Sequence, residues 1–421
     1  MIELTRGRLD AAICALQVVL GLTRPADAAL RLFFRDHAQL GQRDRSFVAE
    51  LVFTVLRHLR LLEHLAGEPQ PRRLALAALS MQLGFSVREL SPVLAQEEES
   101  WLAQVRAANH TGLTPATRLS LPDWLYERLA QQWTGGELEA MARGLLQPAP
   151  LDLRVNTLRA RREEVLAVFE QDGIAASSTR YSPVGVRIET KPALQRHPLF
   201  LEGKVEVQDE ASQLLAYLVA PRRREMVVDL CAGAGGKTLA LAALMRSEGR
   251  VYAFDTAEKR LANLKPRLKR SGLSNVHPQL ISGASDARLR RLASKIDRVL
   301  VDAPCSGLGT LRRNPDLKWR QKPEAVVEMA AKQRSILEAA AQLVKPNGRL
   351  VYATCSLLKE ENDAVVDAFV DAHPAFVRRD CAELFRQQGI ELDTGPFYRV
   401  FPHSHEMDAF FAAVLERPQG S

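Results

Sequence analysis

The stretch MVVDLCAGAGGKT, residues 226–238, decides how the larger part of this chain folds. Met226 to Leu230 is a short apolar run broken only by Asp229, the composition of a buried strand. Gly233, Gly235 and Gly236 follow, and they let the backbone turn tightly and come close to a ligand. The helix expected next has unpaired N–H groups at its start. Strand, glycine turn and helix in this order open a doubly wound sheet. The ending GGKT invites a phosphate loop, but that motif needs glycine five residues before Gly236, where Cys231 stands. A nucleotide hydrolase loses most of its support there.

Outward from this turn, strand and helix signals alternate. RVYAFD (250–255), VHPQLI (276–281), DRVLVDAP (297–304) and GRLVYATCS (348–356) read as buried strands. LANLKPRLKR (261–270) and EAVVEMAAKQRSILEAAAQLV (324–344) read as amphipathic helices. The pattern predicts an α/β, Rossmann-like doubly wound domain over residues 221–421, with FFAAVLER (410–417) returning antiparallel after the hairpin-like PHSHEMD. Toward the N-terminus, the proline-rich LLQPAPLDLRVNT (145–157) marks a boundary, and residues 145–220 read as a small α+β lead-in. Residues 1–144 read as an all-helical domain, with apolar positions at helical spacing such as Phe47, Leu51, Val52, Val55, Leu56 and Leu59.

The 421 residues carry a net charge of +7. Residues 1–140 hold 15 Lys and Arg against 16 Asp and Glu, so the whole basic excess lies beyond residue 140 and suits a polyanionic partner. No apolar run is long enough to span a membrane and the start shows no cleavage site of a secretory leader, so a cytoplasmic protein without a membrane partner is expected. Cys14, Cys231, Cys305, Cys355 and Cys381 form no C-x-x-C pair, which speaks for reduced thiols and against a structural metal.

Three acids follow strand ends: Asp255 after the second strand of the sheet, Asp286 after the third and Asp302 after the fourth. Asp255 stands 20 residues beyond Gly235, where a carboxylate can accept both hydroxyls of a ribose. A nucleoside-type cofactor fits this pattern, a dinucleotide included. Cys305, in DAPCSGLGT (302–310), follows the fourth strand, and Cys355, in TCSLLKEEN (354–362), follows the fifth. If these strands are neighbours, about 4.8 Å apart, both thiols reach one crevice above the cofactor.

On these motifs the chain resembles the Nop/Sun family of RNA cytosine-5 methyltransferases, within it the bacterial 16S ribosomal RNA branch, whose N-terminal domain is similar to the antitermination factor NusB. The resemblance also rests on QRDRSFVAELVFTVLRHLRLLEHLA, DLRVNTLRA, VQDEASQL, the continuation LRRNPDLKWR (311–320) of the first cysteine motif, and FPHSHEMDAFF. Three positions depart from the family's usual pattern: Ala234 and Lys359, where proline is common, and Ala409, where glycine is common. The resemblance implies that Cys231, Ala232, Gly233, Ala234, Gly235, Gly236 and Lys237, with Asp255, Asp286 and Asp302, bind S-adenosylmethionine. It implies that Cys355 attacks the base and that Cys305 assists release. Asp302, its carboxyl partly protonated through burial, would hydrogen-bond ring nitrogen 3. Arg312, Arg313, Lys318, Trp319 and Arg320 are the first choice for phosphate contact and base stacking, with Arg154 and the arginines at 222–224 behind them. The expectation is a monomer that takes unstacked RNA and no metal. A transfer RNA or DNA methyltransferase, or a non-catalytic assembly factor, are the alternatives.

Overall fold

A computed structural model describes residues 4–108, 112–190 and 192–419, which fall into two compact units. The first comprises residues 1–148 together with Thr310–Pro323, and the second residues 149–309 and 324–421.

The first unit is helical. Arg6–Val19, Ala26–Asp36, Gln42–Arg57, Leu59–Ala66 and Pro71–Met81 surround a core of Leu9, Leu16, Val48, Leu51, Val52, Val55 and Leu56. The three- and four-residue spacing seen in the sequence is thus the buried stripe of Gln42–Arg57. Asp44, in the first turn of that helix, accepts from Gly41 N at 3.1 Å and from Arg8 Nε at 2.7 Å. One charged residue of QRDRSF, Asp44, is therefore a helix cap, and its ion-pair partner is Arg8 of the first helix.

The segment Thr310–Pro323 belongs to this helical unit, and that corrects the expectation for its basic residues. A helix leaves its last carbonyls and first N–H groups unpaired. Lys318 Nζ donates to Arg57 O and Trp319 Nε1 to Leu56 O, both at 2.7 Å, capping the C-terminus of Gln42–Arg57. Asp316 Oδ2 accepts from Ala26 N at 3.2 Å, at the start of Ala26–Asp36. Lys318 and Arg312 are buried, and Trp319 packs on the helical core. Arg312 accepts from Arg57 through its carbonyl, and Arg320 bonds Asp316. Arg312, Lys318 and Trp319 are spent on joining helices, while Arg313 and Arg320 remain half-buried.

The second unit contains two sheets. A four-stranded antiparallel sheet, β1 (Leu151–Val155), β2 (Ala176–Ser178), β3 (Gly185–Ile188) and β4 (Val205–Val207), runs in the order β2-β3-β1-β4 and packs on Val165 and Phe169 of the helix Arg162–Gln171. Arg154, on β1, is buried and donates to Gln208 Oε1 at 2.6 Å, so it is no phosphate contact. The larger sheet holds β5 (Met226–Asp229), β6 (Arg250–Asp255), β7 (Val276–Leu280), β8 (Ile296–Asp302), β9 (Val344–Thr354), β10 (Val377–Arg379), β11 (Tyr398–Val400) and β12 (Phe410–Glu416). Its order is β10-β12-β9-β8-β5-β6-β7, with β11 paired to β12.

From β5 to β9 the pairs are parallel, and β12 lies antiparallel to β9. Strands covered on both faces need side chains that are apolar on both, which is why Val227, Val228, Val299, Leu300, Val301, Leu350 and Val351 form continuous runs. The chain leaves β5 for β6 and β7 on one side, then returns to β8 on the other. That reversal opens a crevice beyond the carboxyl ends of β5 and β8.

Candidate active site

A cavity of about 730 Å³ occupies this crevice. Its wall includes Leu230 through Ala234, Gly236, Lys237, Asp255, Asp302, Cys305 and Cys355. The glycine turn after β5 is held open by backbone geometry: Gly235 has φ +82°, and a β-carbon there would lie 2.1 Å from Leu264. Asp255, at the end of β6, accepts from Gly233 N and Ala257 N, each at 2.7 Å. It braces the loop that it faces across the cavity. Asp229 is fully buried, accepts from Thr238 Oγ1 at 2.7 Å, and burial pushes its carboxyl up to about 7.

Asp286 is placed differently from the other two acids. Its oxygens accept from Ser282 N at 2.9 Å and Arg288 N at 2.8 Å, capping the short helix Ala287–Arg290, and Gly283 and Ala284 of its turn line the cavity in its stead. Those backbone bonds hold its carboxyl below the usual carboxylate range.

The two cysteine turns meet. Parallel pairing brings Asp302 of β8 opposite Ala353 of β9, so Cys305 and Cys355 leave adjacent strand ends. Their sulfurs are 3.4 Å apart. Gly309 N donates to Cys355 O at 2.8 Å, and a β-carbon at Gly309 would stand 2.3 Å from Ala409 O. Only glycine fits there. Ala409 joins this contact through its backbone, its N–H donating to Gly309 O at 3.0 Å. The hydrogen bond to Cys355, burial, and the charges of Cys355 and Glu361 push the Cys305 thiol well above its ordinary value.

Asp302 does not stand alone but has an ion-pair partner. Lys237 Nζ donates to Asp302 Oδ2 at 2.7 Å and lies 5.1 Å from the Phe410 ring centroid. Burial pulls the Lys237 ammonium down, but the charge and hydrogen bond of Asp302, with Cys355 and Asp229, carry it above its usual value. The pair puts an ammonium and a carboxylate side by side on the cavity wall.

Several lining residues were not among the site residues expected from the sequence. Gln208 and Ser212 come from the segment after β4, Arg260 and Arg267 from the helices after β6, and Lys332 and Ile336 from the helix Pro323–Leu343. Arg267 Nη1 donates to Ala234 O at 2.8 Å while its Nη2 pairs with Glu206 at 3.0 Å, tying β4 to the glycine turn.

Comparison with known proteins identifies the family. A family model described as 16S rRNA methyltransferase RsmB/F matches residues 216–416, and one described as an RsmF/B-like methyltransferase ferredoxin-like domain matches residues 121–195. The chain is 32% identical over 427 residues to the probable ribosomal RNA small subunit methyltransferase B of Synechocystis sp., covering 93% of this chain and 95% of that one. It is 32% identical over 406 residues to ribosomal RNA small subunit methyltransferase B of Sodalis glossinidius, covering 90% and 91%. Among solved structures, one described as the crystal structure of PH0851 superposes with a TM-score of 0.79 at 28% identity over 99% of both chains. Likeness along nearly the whole length, with the glycine turn and both cysteine turns in place, leaves one assignment: the chain belongs to the RsmB/F family of 16S rRNA methyltransferases.

Proposed function

We propose that the protein methylates carbon 5 of a cytosine in 16S ribosomal RNA, with S-adenosylmethionine as donor, through a covalent adduct between Cys355 and carbon 6 of the base. The observation that carries this is the pair of cysteine sulfurs 3.4 Å apart on the wall of the cavity that the glycine turn also lines. Carbon 5 of cytosine is a weak nucleophile. A thiolate that adds to carbon 6 converts the ring to an enamine, whose carbon 5 can form a bond to an electrophilic carbon.

The residues present suit this donor. Gly233 and Gly236 leave backbone near the cavity without side chains, Asp255 brings a carboxylate for ribose hydroxyls, and Ile281, Leu230 and Ile336 give apolar surface for a base. Bound there, S-adenosylmethionine supplies an electrophilic methyl group. Lys237 puts positive charge where the Cys355 thiolate forms, and with Asp302 it offers a donor and an acceptor to the ring edge. After methyl transfer, a base removes the proton from carbon 5, the carbon 6–sulfur bond breaks, and Cys355 leaves as thiolate. Cys305, adjacent to that sulfur, serves this second half.

The test is transfer of labelled methyl from S-adenosylmethionine to naked small-subunit ribosomal RNA, with bisulfite mapping of the product. One protected cytosine, absent with Cys355→Ala, supports the proposal. Label in transfer RNA or DNA instead refutes the substrate, and label at another atom refutes the chemistry.

A further inference from the structure

Two chemically identical thiols at 3.4 Å must act differently if one attacks and the other assists release. Behind the cavity wall, next to both cysteine turns, lies Glu361. This residue is fully buried, and none of its contacts is with the cavity. Its Oε1 accepts from Ser306 N at 2.8 Å and Gln333 Nε2 at 3.0 Å. Its Oε2 accepts from Ser306 Oγ at 2.5 Å and from Ser356 Oγ. Ser306 follows Cys305 and Ser356 follows Cys355, and the two hydroxyls also meet each other at 3.1 Å. One carboxylate therefore binds the residue next to each reacting cysteine.

The turn that carries Glu361 is fixed independently of those bonds. Tyr352 Oη donates to Glu361 O at 2.6 Å, Asn362 Nδ2 to Ser356 O at 3.0 Å, and Thr354 Oγ1 to Asn362 Oδ1 at 2.5 Å. Gln333 Nε2 also reaches Pro304 O at 2.9 Å, so the long helix holds the Cys305 turn from its other side. All four donors to the Glu361 carboxylate are neutral, and a buried carboxylate needs such donors to be tolerated.

We propose that Glu361 is a positioning residue that clamps the two cysteine turns to each other and, bonded to both the N–H and the hydroxyl of Ser306, places its negative charge on the Cys305 side, so that the two thiols are no longer equivalent. The Lys237 ammonium, on the cavity side, acts on Cys355, and Glu361, behind the wall, acts on Cys305. Other titratable or charged groups around the pair are Tyr352 from β9, Asp302 from β8, Cys231 from the glycine turn, and Lys332 and Arg334 from the long helix. The proposal rests on the assigned roles of the two cysteines, but its test does not.

Glu361→Gln removes the charge and can keep the bridge. Alkylation of each cysteine by iodoacetamide, followed peptide by peptide by mass spectrometry against pH, reads the effect directly. In E361Q the Cys305 midpoint is expected to fall by about one pH unit while that of Cys355 stays within the error of the wild type. An unchanged Cys305 midpoint in folded E361Q overturns the electrostatic half of the proposal. Ser356→Ala, which keeps the charge but cuts the hold on the Cys355 turn, is expected to lower kcat about tenfold with KM for RNA unchanged. Wild-type kcat in S356A overturns the clamp, and S356A also serves if E361Q does not fold. Failure of the cysteine roles would show separately, as absence of a trapped RNA adduct in Cys305→Ala.

Discussion

The motif DAPCSGLGTLRRNPDLKWR, residues 302–320, divides at Gly309 into halves with opposite fates. The first half continues β8 into the cavity wall, where Asp302 and Cys305 keep polar atoms on the crevice. The second half belongs to the helical unit, where Asp316, Lys318 and Trp319 satisfy helix ends. Both halves are dense in polar and reactive residue types. Side chains at the carboxyl ends of parallel strands face the crevice at the switch point of the sheet, where they can meet a ligand. A basic side chain beside a helix C-terminus meets unpaired carbonyls and a partial negative charge, and is used there.

The sharpest test of the first half is covalent trapping. Cys355→Ala should show no methyl transfer and no RNA adduct, while Cys305→Ala should accumulate an adduct stable to denaturing electrophoresis; the reverse pattern would exchange the two roles. Next in size, Lys237→Met should lower kcat about 100-fold, since it removes the charge beside Cys355 and the partner of Asp302. A wild-type kcat would confine Lys237 to structure.

The acids differ in a graded way. Asp255→Ala should raise the KM for S-adenosylmethionine about tenfold by losing a ligand and the brace on Gly233, whereas Asp286→Ala should lower Tm slightly with KM little changed. Equal KM effects would return Asp286 to the cofactor.

For the second half, Trp319→Ala should destabilise the helical unit by about 3 kcal/mol. Lys318→Met should leave the salt dependence of RNA binding as it is; a slope reduced by about one would mean a phosphate contact after all. Burial, then the charge of Arg57, brings the Lys318 amine down to about 7. Between about pH 7 and the ordinary lysine range near 10.4 the unfolded chain binds this proton and the folded one does not, so this group makes stability rise with pH across that window. Tm measured from pH 7 to 10 should therefore climb more steeply in the wild type than in Lys318→Met.

Much of the site was legible because its signals are local. Cys231 to Lys237 reads as a turn from its glycines, and Asp255, Cys305 and Cys355 read as strand ends because apolar runs stop just before them. Asp286 carries the same local signature as Asp255, yet its carboxylate turns back onto Ser282 and Arg288. Capping an adjacent helix and binding a ligand use the same residue type at the same place, so sequence could not separate them. Arg267 and Lys332 gave no signal, since each is brought to the cavity from an element distant in the chain, and Gln208 and Glu361 lie inside quoted motifs whose spacing does not say which side chain faces what.

By itself the sequence determined the alternation of strand and helix, the glycine turn and the order of the two cysteine turns, all properties that spacing along one chain encodes. Only the tertiary structure decided that the sulfurs stand 3.4 Å apart, that Asp302 takes Lys237 as its partner, and that residues 310–323 serve the helical unit. Those outcomes depend on which unpaired donor, acceptor or charge lies opposite each side chain, and that is settled by packing between segments far apart in the chain.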